Sequence, residues 1–516
     1  MSAEETLRIL PKLLGAGDFA SAEQQVLGAL DSDPEHPGLN AFAAFISDRL
    51  GKTAAAIASA RKAIASPGTF PRQAAQGANI LARLRQFSDA LAAARAINFS
   101  ETSDPVVLDQ LGACFTACES HAEARTVYER LVALIPHETR CRFNLAAAQR
   151  YTGDLEAAAR NFDLASQTGP QASEAAYARS LLKKASAEQN HLDDLDRRLQ
   201  APGLDPLSLA SLHYAKGKEW EDLEQWPKAF AAWTDGARAM RTARPYSVDP
   251  EIDAINETIK AWPAATARYA PADLTPVFIV SLPRAGSTLL DRILSNRDDV
   301  SSAGETEDFI VSLLADPALA SRQSPSEIAR KTRAIDIKAV GDRYRAALKQ
   351  RGFDAGYVID KTPTNFLYAG LIAEALPEAR IIHVTRDPKD ALIATYKTLF
   401  RDRYFWSYDL DDIAAYIAAY RRLMRHWLEV WPSRIEQIAY EHLVEHTEAE
   451  ARRITAALDL DWNDACLDIG RNKAAVSTAS AEHVRRPVYQ SSIGHWKHFS
   501  DEIANVLPAL AKLEQD

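Results

Sequence analysis

The feature that most constrains the fold is a small residue that returns every 34 positions: Ala22, Ala56, Ala90, Ala124 and Ala158. Five residues before each alanine stands Gly17, Gly51, Arg85, Glu119 or Gly153, and Phe19, Phe87 and Leu155 recur two residues after that turn position. Pro34, Pro67, Pro136 and Pro170 close several of the units. The intervening segments are rich in Ala, Leu and Arg, with few β-branched runs. This pattern predicts two amphipathic helices per unit, crossing closely at the alanine and joined by a turn in the left-handed conformation. One such unit cannot bury its apolar face alone, so neighbours must stack into a continuous array.

A 34-residue period of paired helices is similar to the tetratricopeptide repeat, and residues 1–260 are read as an α-helical tetratricopeptide (TPR) solenoid. A sixth unit in shifted register is expected where Gln225, Trp226, Pro227, Lys228 and Ala229 echo the turn and Trp233 extends it. Solenoids of this kind curve into a groove that holds peptides or partner chains. Proline density then rises at Pro245, Pro250, Pro263, Pro271 and Pro276, which predicts a domain boundary between residues 245 and 275.

The chain's 516 residues exceed what one core can serve, so two or three domains are expected. A formal charge of −10 argues against a general nucleic-acid binder. No apolar run approaches the roughly 18 residues that span a bilayer, and the N-terminal residues lack the basic and apolar regions of a signal peptide. Cys114, Cys118, Cys141 and Cys466 form no disulfide framework. Cys114 and Cys118 lie one helical turn apart without a matching His/Cys pair, so buried helical cysteines and a reducing cytoplasm are expected.

The chemistry is read from the second half. Val277–Val280 is a short apolar run suited to a buried parallel strand, and Pro283-Arg284-Ala285-Gly286 breaks it. Ser287 and Thr288 then open a helical pattern carried by Leu289, Leu290, Ile293 and Leu294. A strand–turn–helix of this kind aims backbone N–H groups and a helix dipole at one point, which suits a phosphate or sulfate. Gly286 permits close approach, the hydroxyls donate, and Arg284 adds fixed charge. The triphosphate-binding signature, with lysine directly before the hydroxyl, is absent.

PRAGSTLL resembles the 5′-phosphosulfate loop of sulfotransferases that use 3′-phosphoadenosine 5′-phosphosulfate (PAPS). It is most similar to that of the tyrosylprotein enzymes and of bacterial sulfotransferases fused to tetratricopeptide repeats. The resemblance implies that residues 270–516 form an α/β, P-loop-like sulfotransferase domain with a central parallel sheet. It also implies that Arg284, Ala285, Gly286, Ser287 and Thr288 bind the nucleotide. Arg386, after the strand-like Arg380–Thr385, matches the arginine that grips the 3′-phosphate. The companion serine expected eight residues later is Ala394 here, and the nearest hydroxyl is Thr395, about 100° further round the helix. Tyr440, in Ile438–Val444, matches a nucleotide-contacting tyrosine. Val484–Tyr489 with Gly494-His495-Trp496 resembles the basic closing loop, with Arg486 as the phosphate contact and Arg485 as its alternative.

Sulfuryl transfer to a phenol needs a base, because the phenol has a pKa of about 10. It also needs cations near the departing oxygen. By resemblance Glu305 is the catalytic base, with Glu307 as the alternative, and Lys361 faces the leaving oxygen beside Arg284. No metal is required on this scheme; His383, His426, His483, His495 and His498 show no metal-ligand spacing, and His383 reads as a core residue. The resemblance implies PAPS as donor and a tyrosine of a peptide or protein as acceptor, held by the repeat groove and by loops such as Phe400–Tyr408. Two other readings stay open. One is a TPR scaffold with an inactive sulfotransferase-like domain, motivated by Ala394. The other is a P-loop kinase, against which the missing lysine and the lack of an obvious Mg²⁺ carboxylate count.

Overall fold

The computed structural model describes residues 2–65, 70–264, 269–319, 324–468 and 490–515. Packing divides the chain into two compact units, Met1–Gln171 with Gln350–Gly352, and Ala172–Lys349 with Phe353–Asp516.

The first unit is a run of five helical hairpins. Their first helices begin at Ala3, Pro37, Pro71, Pro105 and Thr139, and their second helices at Phe19, Thr53, Phe87, His121 and Leu155, each series 34 residues apart. Local chemistry sets these starts. Ser2 and Glu5 form a capping box, Asp18 and Asp154 cap their helices, and prolines occupy the first turns at 37, 71 and 105. All five register alanines are fully buried. All five turn positions are left-handed, with φ of 75° at Gly17, 73° at Gly51, 61° at Arg85, 58° at Glu119 and 88° at Gly153. The turn geometry therefore persists where glycine is replaced, at a cost of about 1–2 kcal/mol per residue. Ion pairs link equivalent helices of successive hairpins, Lys52–Glu23, Arg61–Asp89, Arg95–Glu123 and Arg125–Asp154. Being exposed, each adds at most about 1 kcal/mol. Cys114 and Cys141 are buried in helices, as expected.

The second unit is built on a five-stranded parallel sheet, β1 (Leu274–Ser281), β2 (Val300–Ser302), β3 (Gly356–Asp360), β4 (Arg380–Thr385) and β5 (Ile435–Ala439), in the order β2-β3-β1-β4-β5. Every residue of β1 is buried, which is why it reads as an unbroken apolar run. Its two faces feed separate cores. Phe278 and Val280 join Phe309 and Tyr344, while Val277 and Ile279 pack with Leu290, Ile293 and Leu294 of the Ser287–Leu294 helix. The chain leaves β1 toward β2 and β3 on one side and toward β4 and β5 on the other. A strand-order reversal of this type opens a crevice at the carboxyl ends of the strands.

The expected boundary at 245–275 does not coincide with the division into compact units. Five helices, Ala172–Leu182, Leu192–Leu199, Pro206–Asp222, Trp226–Ala243 and Asp249–Ala261, belong to the second unit. Pro250 lies in the first turn of the last of these helices and does not mark a spacer. Tyr214 donates to the carbonyl of Tyr396 at 3.1 Å, Tyr396 to Thr234 at 3.1 Å, and the Leu399 amide to Tyr177 at 3.2 Å. The shifted sixth turn is present, with Glu224 at φ 58° and Ala229 fully buried five residues on. Among the described residues, no helix is long and apolar enough to cross a membrane.

Candidate active site

The carboxyl ends of β1, β3 and β4 bring the candidate residues to one edge of the sheet. After β1 the backbone turns sharply, with Arg284 at φ 64° and Gly286 at φ 98°. Gly286 is the N-cap of the Ser287–Leu294 helix and, among the described residues, no side chain caps it, which suits the helix start to an incoming anion. Gly286 is also required by space, because a Cβ there would lie 2.2 Å from Cδ2 of Tyr440. Ala285, Ser287 and Thr288 are all buried beside it.

The end of β3 carries Asp360 and then Lys361, both enclosed, at 0% and 1% exposure. Beyond β2, the Ala303 amide donates to Ile359 O at 2.8 Å and the Lys361 amide to Gly304 O at 2.9 Å, which extends the pairing past the strand. That register sets Glu305 against Lys361, with Nζ to Oε1 at 2.6 Å. Asp360 is the hub underneath. Its carboxylate accepts from Thr306 Oγ1 at 3.0 Å, Tyr344 OH at 3.1 Å, Asn365 Nδ2 at 3.2 Å and the Thr362 amide at 3.1 Å. Burial pushes its pKa up, and the donors from Thr362, Thr306 and Tyr344 pull against that rise. With both oxygens so engaged, Asp360 holds neighbours in place. Asp291, one turn into the loop helix, is also raised by burial, against the opposing charge of Lys361.

Glu307, the alternative base, adopts φ 55° and pairs with Arg403 at 2.5 Å. Tyr404 adjoins Glu305; burial and then that carboxylate's charge raise its pKa. Its ring meets Phe400 edge-on at 4.9 Å and Trp406 at 5.9 Å. The expected acceptor loop thus carries an aromatic cluster within electrostatic reach of Glu305.

At the end of β4, Arg386 donates from Nη1 to Arg284 O at 2.7 Å and from Nη2 to Ser492 O at 2.8 Å. Its guanidinium lies 4.9 Å from the Tyr440 ring centroid, and its buried Nε has no hydrogen-bond partner among the described residues. Tyr440 OH shares a 2.6 Å hydrogen bond with Ser492 Oγ. A salt bridge from Arg386 to Asp387 or Asp390 does not form. Asp387 caps the Pro388–Tyr396 helix, and Asp390 accepts from the amides of Gly494 at 2.6 Å and Trp496 at 2.9 Å. Ala394 and Thr395 are both buried in that helix, and Thr395 is not among the partners of Arg386. Arg485 and Arg486 lie outside the described residues. His383 is a buried core residue bonded to Tyr420 and Gln437, its pKa lowered by burial to about 3. Among the described residues no group of side chains has a metal-binding arrangement.

Sequence reasoning missed Asp360, Asp390 and Ser492. Asp360 adjoins the chosen lysine and Ser492 follows the chosen arginines, but neither signal separates a structural hub from an ordinary loop residue.

Residues 276–464 match the profile of the sulfotransferase family, so a sulfotransferase-family domain occupies the C-terminal half of the chain. Protein-tyrosine sulfotransferase 2 of Gallus gallus is 25% identical over 275 residues, covering 48% of this chain and 71% of that protein. An uncharacterized protein of Aquifex aeolicus (strain VF5) is 26% identical over 339 residues, 63% of this chain but only 44% of its own length. Among solved structures, the sulfotransferase domain of the Synechococcus PCC 7002 olefin synthase aligns with 45% of this chain and 90% of that domain, at 19% identity and a TM-score of 0.31.

Proposed function

We propose that the chain transfers a sulfuryl group from PAPS to an acceptor hydroxyl, with a tyrosine of a peptide or protein as the acceptor. The observation that carries this reading is the 2.6 Å contact between Glu305 and Lys361, set beside an uncapped helix N-terminus. The residues fit a doubly anionic nucleotide. No side chain caps the loop helix, the space a Gly286 Cβ would fill is limited by Tyr440, and Arg386 keeps a buried Nε with no partner among the described residues.

PAPS, when bound, supplies the sulfuryl group. Arg284 and the amides and hydroxyls of Ala285, Gly286, Ser287 and Thr288 hold its sulfate-bearing end. Arg386 and Tyr440 hold a second phosphate, with Arg486 and Thr395 as further candidate contacts. Glu305 takes the phenolic proton as the acceptor oxygen attacks. Lys361, a compact point charge with no room to swing, balances negative charge that develops beside the loop. Phe400 and Tyr404 offer ring surface to an aromatic acceptor, with the buried Trp406 packed behind Tyr404. We assign residues 1–260 to acceptor recruitment through the repeat groove, its last hairpin also packing into the unit that contains the transfer domain, and residues 270–516 to transfer, in a cytoplasmic setting. The tyrosine acceptor is supported by the similarity to the protein-tyrosine sulfotransferase and by the aromatic cluster within electrostatic reach of Glu305.

Labelled-sulfate transfer to a tyrosine peptide tests the reading. Glu305→Ala should lower turnover by about 10²–10⁴-fold, the usual worth of a general base, while adenosine 3′,5′-bisphosphate still binds. Unchanged turnover removes Glu305 from the mechanism, and ATP-dependent phosphoryl transfer would replace this proposal with a kinase.

A further inference from the structure

The segment that braces Arg386 is itself held by the last helical hairpin, Pro206–Asp222 with Trp226–Ala243. Glu221 lies at the end of the first helix, its side chain 15% exposed. One oxygen, Oε1, meets both Lys397 Nζ at 2.6 Å and His495 Nε2 at 2.7 Å. Lys397 caps the helix that follows Arg386, and His495 lies three residues beyond Ser492. The carboxylate thus ties the far end of the arginine-bearing helix to the segment that supplies Ser492. Burial pushes the Glu221 pKa up, but Lys397 and His495 outweigh it and hold it at about 2.

Trp226, on the partner helix, reinforces the same tie. It stacks on His498 at 4.2 Å and 18°, and meets Phe499 edge-on at 5.7 Å. Phe499 is fully buried against Trp233, with ring centroids 5.5 Å apart. Asp390 closes the circuit through the amides of Gly494 and Trp496, while Lys389 lies 4.5 Å from the Trp496 ring centroid. Ser492 then reaches Arg386 through its carbonyl and Tyr440 through its hydroxyl. A continuous line of contacts—carboxylate, imidazole, backbone, guanidinium—runs from the hairpin to the anion pocket.

We propose that Glu221 and Trp226 are positioning residues for nucleotide binding, acting through His495 and Ser492 on Arg386 and Tyr440. The hairpin is then part of the donor site, and cutting the chain at residue 260 would damage that site. This inference rests on the reading of Arg386 as a phosphate contact. Removing the carboxylate leaves Lys397 beside His495 without a counter-charge, so the segment loses its register and Ser492 no longer fixes the guanidinium.

Calorimetry on the full chain with adenosine 3′,5′-bisphosphate is the test, run well below the melting temperature of each variant. Glu221→Ala should weaken binding about tenfold or more, the effect of losing one hydrogen bond to a charged group. Glu221→Gln, which restores an oxygen acceptor, should recover part of the loss. A purely scaffolding glutamate would lower the melting temperature and leave the affinity of the folded protein unchanged. His495→Gln supplies an independent measurement should Glu221→Ala fail to fold, and it should also weaken binding. Wild-type affinity in the folded variants overturns the inference alone. Absence of binding by the unsubstituted chain overturns the nucleotide reading and this inference together.

Discussion

Replacing Gly286 with alanine tests the anion loop at its tightest point. Two terms add. At φ 98° an L-residue costs about 1–2 kcal/mol, reduced by roughly 0.5–1 kcal/mol because alanine narrows the unfolded ensemble. The new Cβ would also meet Tyr440 Cδ2 at 2.2 Å and Cε2 at 2.9 Å, an overlap worth about 1–3 kcal/mol once the ring moves. The sum is about 1–4 kcal/mol. Gly17→Ala isolates the first term, since Gly17 has φ 75° and nothing within 4 Å of its Cβ position. It should cost about 1 kcal/mol or less. Urea unfolding of both variants gives the difference. Displacing Tyr440 also disturbs its bond to Ser492 and its packing on Arg386, so Gly286→Ala should bind adenosine 3′,5′-bisphosphate at least about tenfold more weakly. If Gly286→Ala proves as mild as Gly17→Ala and binds normally, the loop is not crowded by Tyr440 and the pocket has been misread.

Further outcomes concern the repeat array. His121 is buried against Tyr151 with neither ring nitrogen bonded among the described residues, and burial lowers its pKa to about 4. The unfolded chain takes up that proton near pH 6.5, so stability is present above that value and falls as pH drops toward 4. The loss between pH 7 and pH 5 is about 2 kcal/mol, and His121→Leu should flatten that part of the urea-unfolding profile; an unchanged slope would contradict it. Arg85→Gly and Glu119→Gly, at left-handed turn positions, should each raise stability by about 0.5–1 kcal/mol, and a lowered melting temperature would show that their side-chain contacts outweigh the backbone strain.

Much of this was legible from local order. The helix starts follow the 34-residue register because a turn, a cap and one small residue suffice to define a hairpin. The anion loop was legible for the same reason, as strand, turn and helix are contiguous. Glu305 and Glu307 could not be separated in that way. The choice depends on β2 lying against β3, which brings Glu305 to Lys361 and leaves Glu307 to Arg403. Nor could proline density locate the boundary, since Pro250 lies in the first turn of a helix and the preceding hairpin packs into the second unit.

The sequence by itself determined the periodic array, the apolar strands and the loop that offers amides to an anion, because each is governed by neighbours within a few residues. Tertiary structure alone decided which distant groups share a proton, a charge or a carbonyl. With β1 between β3 and β4, Asp360, Arg386 and Ser492 converge from positions far apart in the chain. Spacing along a sequence carries no record of strand order, and strand order is what brings Glu305 to Lys361 and Arg386 to its brace.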